Sequence, residues 1–377
     1  MGTLEGLARV VHREFVCLTI LVATVVVAFF VTRTAASVTT SSHRRDAHTW
    51  YEIATHGTID PAASPARITA LRRAVANDPD NREYRLALAA AVDASGDTSA
   101  AQRILRALRE AAPDDSRINL ALARLEARGR DVDASRRDYE NVLSELWMPA
   151  SAAQRRAVRL ELIDFLLANG DSMRALPELL TLTTEIPDQA ASHIELGQRM
   201  LRAGDARRAR DQFVLALALD PDDDRALSGA GRAAFALGDY VAAGRYLSAV
   251  PDQTETRELL QVTREVLARD PLARRIGTRE RVRRVSGLLQ QAGVRIDDCA
   301  ARITSAALLH LRALRADADA LQTTIARGGE DARDLSEDGV DLAYRMEAAA
   351  DEACGAAQAP ADRAILLIGH RTEGAPG

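Results

Sequence analysis

Cys299 and Cys354 are the only thiols outside the apolar N-terminus, and 55 residues separate them. The segment between them reads as two helices. The first runs from about Asp297 to Ala326, with Ile303, Leu311, Leu314, Leu321 and Ile325 at helical spacing. The second runs from about Asp331 to Ala353, with Leu335, Leu342 and Met346, and Gly355 stops it. Folded antiparallel about Gly328 and Gly329, this hairpin brings both cysteines to one end. Two readings stand: a disulfide, which implies an oxidising compartment such as a bacterial periplasm, or two unrelated buried thiols.

Other reactive groups are scattered. His193 and His310 have no second His, Cys or paired carboxylate at ligand spacing, which favours packing or exposure and implies no metal and no cofactor. The sequence holds no HExxH, no CxxC, no phosphate-binding glycine loop and no nucleophile elbow. Gly229 and Gly231 form a GxG inside a helix pattern, where small residues serve packing. "ARRIGTRERVRR" gathers Arg274, Arg275, Arg279, Arg281, Arg283 and Arg284, with Thr278 placed to cap a helix. Such a run either grips an acidic partner or forms a solvated face that Glu280 partly neutralises. An enzyme would need its site in residues 270–377, which offer no paired base and nucleophile. The expectation is a protein that is not an enzyme and has no small-molecule substrate.

The elements that carry these groups are helical. The chain has 377 residues, 47% apolar but only 4% aromatic, so its core must be built from Ala, Leu and Val. All 49 basic residues are Arg, which fits a GC-rich bacterial genome, and the net charge of -5 gives no basic excess for nucleic acid.

Phe15 to Thr32 is an 18-residue run without a charge. As a helix it covers roughly 27 Å, close to a bilayer core, so it reads as a transmembrane helix; a cleaved signal peptide is the alternative. Cys17 inside it is a small apolar side chain. Arg9 and Arg13 precede the run and Arg33, Arg44 and Arg45 follow it, so charge does not fix orientation. A cytosol-facing anchored protein competes with a periplasmic one. The polar, Ser/Thr-rich stretch 33–45 reads as a tether.

Beyond it, spacing repeats. Gly96, Gly129, Gly170, Gly204 and Gly238 lie 33, 41, 34 and 34 residues apart, and Pro79 with Pro113, then Pro187 with Pro221, keep a step of 34. The interval of 41 is one period plus two helical turns, placing an insertion near "WMPASAAQRRAV". Small residues at Gly197, Gly231, Ala209 and Ala243 alternate with larger Phe213 and Leu247, as closely stacked helix pairs require. This pattern resembles the tetratricopeptide repeat family, most closely over 190–251 and least over 115–148, where Ala134 and Tyr139 sit one residue out of step. A degenerate first unit contributes Leu71, Ala74 and Pro79 against a helix with Trp50 and Tyr51.

The fold class expected is therefore all-α: an N-terminal transmembrane helix, a tetratricopeptide-type solenoid and a C-terminal helical hairpin. The expected divisions are 1–14, an anchor at 15–32, a tether at 33–45, a solenoid of five to six units at 46–251, an extension at 252–296, the hairpin at 297–354 and a tail at 355–377. In the tail, Ala364 to Ile368 reads as an apolar strand or helical turn that either covers an open end or engages another subunit or partner. The resemblance implies a groove that binds a partner peptide or helix. Its lining falls at Asn119, Leu160, Asp164, Leu167, Ile194, Gln198, Leu201, Arg202, Arg225, Ser228, Arg232 and Phe235. Ala123, Asp164, Gln198 and Arg232 stand where carboxylate-clamping members need a specific polar residue, so a clamp for a peptide's terminal carboxylate is not expected. The implied role is a membrane-tethered scaffold, in envelope assembly or beside a translocon.

Overall fold

A computed structural model describes residues 2–56, 64–145, 151–250, 254–304, 307–327 and 334–373. Every regular element among them is a helix. They are α1 (Gly2–His56), α2 (Pro65–Asn77), α3 (Arg82–Ala94), α4 (Thr98–Ala111), α5 (Ser116–Arg128), α6 (Val132–Glu145), α7 (Ala152–Ala168), α8 (Ser172–Leu182) and α9 (Ala190–Arg202). Then come α10 (Ala206–Leu219), α11 (Asp224–Ala236), α12 (Tyr240–Ala249), α13 (Thr254–Arg269), α14 (Thr278–Ala300), α15 (Ala307–Arg327), α16 (Asp334–Cys354) and α17 (Pro360–Glu373).

One turn is used five times to join the helices of a pair. Gly96, Gly170, Gly204 and Gly238 take φ of +95°, +74°, +86° and +71°, the left-handed conformation that closes a helix. The Asp that follows each of them then caps the next helix. Asp97, Asp171, Asp205 and Asp239 accept from the backbone N–H three residues on, at 2.9, 3.2, 3.1 and 3.0 Å. The fifth turn corrects the sequence reading. There Arg130 takes the left-handed position, at φ 61°, and Asp131 accepts from Ala134 N–H at 3.2 Å. Gly129 lies one residue early, so the turn-to-turn spacings are 34 and 40 rather than 33 and 41. Part of the insertion, 146–150, lies outside the described residues; α7 has 17 residues where α5 and α9 have 13.

Two compact units divide the chain, Met1–Leu162 and Ile163–Gly377. In the first, Leu71, Leu88, Leu105, Leu108, Ile118 and Leu122 form the core, with Trp50 and Tyr51 of α1 packed on it. In the second, one core gathers Tyr240 and Val266 with Leu288, Leu289, Leu311, Met346, Ile365 and Ile368. Phe213, fully buried, fills the space beside Gly197 and Gly229.

Three expectations change. The stretch 33–45 is not an irregular tether: the backbone stays helical from Gly2 to His56. No Gly or Pro lies within 33–45, and Thr32, Thr34 and Thr49 return their hydroxyls to carbonyls four residues back at 2.8, 2.8 and 3.0 Å. Second, no single helix covers 297–326. α14 ends at Ala300 and α15 begins at Ala307, so Cys299 belongs to α14. The β-branched pair Ile303 and Thr304 sits in this break. Gly328 and Gly329 lie outside the described residues. Third, Thr278 is the first residue of α14, and Gly277 holds the cap position without a side-chain bond. The apolar tail run is helical, in α17, with Ala364, Ile365 and Ile368 buried.

Candidate binding groove

α9 and α11 stand beside each other with their exposed faces turned the same way. Between them and the end of α7 lies a cavity of about 1010 Å³. α9 contributes Glu195, Gln198, Arg199, Leu201 and Arg202; α11 contributes Asp224, Arg225, Ser228, Gly229, Arg232 and Ala236; Asp164 and Phe213 complete the lining. The spacing of 195, 198, 199 and 202, and of 225, 228, 229, 232 and 236, is one helical face in each case.

Asp164 organises the cationic side. Its Oδ1 accepts from Arg199 Nε at 3.1 Å and Arg202 Nη2 at 2.7 Å, and its Oδ2 accepts from Arg199 Nη2 at 2.8 Å. Burial alone would raise this carboxyl; the hydrogen bonds and charges of Arg199 and Arg202 outweigh it and hold the group below its ordinary value. Four guanidiniums thus face three carboxylates, Asp164, Glu195 and Asp224.

Of the twelve residues expected to line a groove, Asp164, Gln198, Leu201, Arg202, Arg225, Ser228 and Arg232 meet here. Ile194 and Phe235 do not. Each is one position off its helix's lining stripe, about 100° around the axis, and faces the core instead. Ile194 is fully buried, and Phe235 packs edge-on against Tyr240 at 5.4 Å between ring centres. Leu160 and Leu167 are half-buried on α7, and neither lines this cavity. Asn119 is buried in the other unit, where its amide donates to the Pro113 carbonyl at 2.7 Å and fixes a turn. Arg199 was not anticipated, yet a signal for it exists. It follows Asp164 by 35 residues, one period plus one, and Arg128 follows Asp93 by the same interval and pairs with it.

Several of the remaining candidates are held by local contacts. His193, 8% exposed, hydrogen-bonds through Nδ1 with Gln212 at 2.8 Å and through Nε2 with Asp188 at 3.1 Å, tying the inter-repeat turn to α10. His310 is exposed on α15. In the Arg-rich segment, Arg281 donates to the Pro271 carbonyl at 2.5 Å and Arg284 to the Asp270 carbonyl at 2.9 Å. These two guanidiniums cap the C-terminal end of α13. Hydrogen bonds from Arg284 and Arg283 hold Glu280 below its ordinary value. The structure brings Cys299 and Cys354 together, with Cα atoms 5.9 Å apart, a separation that a disulfide spans. Among the described residues no three His, Cys, Asp or Glu side chains gather as metal ligands.

A family match agrees with the repeat turns of this chain. Residues 66–125 and 200–263 match the family described as Tetratricopeptide repeat. The second match runs past 251, where the sequence reading ended the solenoid, and into α13. No curated protein matches. Among solved structures, YrrB, described as a TPR protein with an unusual peptide-binding site, is 14% identical; the match covers 52% of this chain and 99% of that one, with a TM-score of 0.42. PilF of Pseudomonas aeruginosa is also 14% identical, over 58% of this chain and 97% of its own, with a TM-score of 0.40.

Proposed function

Because the chain is a tetratricopeptide repeat protein and its repeats are a protein-interaction scaffold, we propose that the α9–α11 groove receives a segment of a partner polypeptide and that the protein catalyses nothing. The observation that carries this reading is the groove's lining, which exposed Arg202, Arg225 and Arg232 share with Leu201, Gly229 and Ala236. Guanidiniums outnumber carboxylates, which favours a segment bearing acidic side chains.

The proposal includes a place in the cell. Val25, Val27, Phe29, Phe30 and Val31 of α1 are 57–61% exposed, an apolar surface that a bilayer covers and water does not. A signal sequence is the alternative reading of the same apolar stretch. The closeness of Cys299 and Cys354 supports a disulfide and hence an oxidising side, as in envelope assembly or beside a translocon.

A photo-crosslinking residue placed at Ser228, in the full-length protein in its native membrane, tests the groove. We expect a discrete polypeptide adduct from Ser228, loss of it when Arg225 and Arg232 are both changed to Glu, and none from Val214 on α10. Equal capture from Ser228 and Val214 would refute the assignment.

A further inference from the structure

α17 lies over a charged cluster that the groove does not use. Beneath it, Glu347 of α16 is fully buried. Arg295 of α14 places Nε 2.8 Å from Glu347 Oε2, although the angle is too poor for a hydrogen bond to either carboxylate oxygen. The same guanidinium pairs with Asp351, donates to the Gly355 carbonyl at 2.9 Å and stands 3.7 Å from Asp362 of α17. Gln291 donates its amide to Asp362 Oδ1 at 2.9 Å. One cation therefore serves three carboxylates on two helices.

We propose that α17 is a pH-released cover, seated while Glu347 holds a proton and lifted when that proton leaves. With Glu347 neutral, Arg295 faces two anions, Asp351 and Asp362. Ionisation adds a third where water does not reach, and one of the three is carried by α17 itself, so the repulsion acts on its seat. The chain supplies a hinge. Gly355, at φ +94°, opens the short link from α16 to α17, whose start is Pro360. The neighbouring Cys354 lies against Cys299 of α14, so α16 stays in place while α17 moves. Lifting uncovers the apolar face that Ala364, Ile365 and Ile368 now bury.

The direction of the pH effect follows from the same contacts. Burial chiefly, then Asp362, opposed by Arg295 and supplemented by Asp351, pushes the Glu347 carboxyl up to about 8. A carboxyl raised in the seated state favours seating fully in acid. That contribution declines above the ordinary carboxylate value and is gone once the pH has risen through about 8. His370 of α17 lies against Tyr344 of α16, with ring centres 5.4 Å apart, about two turns farther along; both residues are unchanged in E347Q.

Hydrogen exchange of α17 amides in the full-length protein in detergent tests the proposal. After correction for intrinsic exchange, wild-type protection should fall by about tenfold or more between pH 6 and pH 9, and E347Q should hold it within about twofold. A constant wild-type profile, or the same fall in E347Q, overturns the cover. Should E347Q fail to fold, the infrared C=O stretch of a protonated carboxyl in the wild type decides. Its loss in step with α17 protection supports the proposal, and its absence at pH 6.5 overturns it.

Discussion

Gly231 and Leu247 fit together with no room between them: a Cβ added to Gly231 would fall 2.6 Å from Cγ and Cδ2 of Leu247. The contact joins α11 to α12 within one repeat, and it repeats the approach of Gly197 to Phe213, where a Cβ would meet the ring at 3.0 Å. Gly231→Leu should therefore overpack the pair by roughly 1 to 3 kcal/mol or more. The denaturant midpoint measures it, and an unchanged midpoint would mean that these helices do not stack in this register.

Arg130 carries a left-handed φ of 61° where four other turns use Gly. A side chain there costs about 1 to 2 kcal/mol, of which glycine's larger unfolded entropy returns part. Arg130→Gly should raise stability by about 0.5 to 1 kcal/mol, read as a higher denaturant midpoint. Gly96→Arg should do the opposite. A midpoint that drops in Arg130→Gly would show that the Arg130 side chain contributes more than its backbone costs.

Asp164 links stability to acid. Its carboxyl is held below the ordinary value, so its contribution is present above the unfolded value and is lost as pH falls through the folded one. The carboxylate is 40% exposed, and solvent screening keeps the neutral-pH cost of Asp164→Asn to about 1 kcal/mol or less. Melting temperatures of wild type and D164N should differ at pH 7 and converge below the ordinary carboxylate range. A gap that persists unchanged in acid would trace the effect to packing.

A Cys299–Cys354 bond closes a loop of 55 residues, for which chain entropy gives on the order of 4 kcal/mol. Reductant should lower the denaturant midpoint accordingly. Thiol labelling of denatured, unreduced protein from its native membrane should find the two cysteines blocked. Two free thiols would remove the compartment argument along with the bond.

The repeat was legible because its turns are chemical. A left-handed residue followed by a capping Asp must recur once per helix pair, and Gly followed by Asp marks four of the five. The fifth was misread by one residue because Arg130 occupies the glycine's place. Seven of the twelve expected groove positions line the α9–α11 cavity, while Asn119, Leu160, Leu167, Ile194 and Phe235 do not; at Ile194 and Phe235 one residue of helix phase turns the side chain toward the core. The helical continuity of 33–45 was obscured by Ser and Thr, whose hydroxyls bond backward along the helix as readily as in a loop. Arg295 lies 52 residues from Glu347 and 67 from Asp362, so no local pattern announces that cluster.

α1 also couples rotation to sequence length. An α-helix turns about 100° per residue, and α1 runs unbroken from its apolar stretch to the turns holding Ala47, Trp50 and Ala54 against the first repeat. One residue inserted between Thr34 and Ala47 would swing the apolar stretch about a quarter turn around that axis relative to the first repeat. Seven inserted residues would nearly restore the original facing while adding about 10 Å of reach. The helix thus behaves as a graduated shaft, on which angle and distance can be set separately by counting residues.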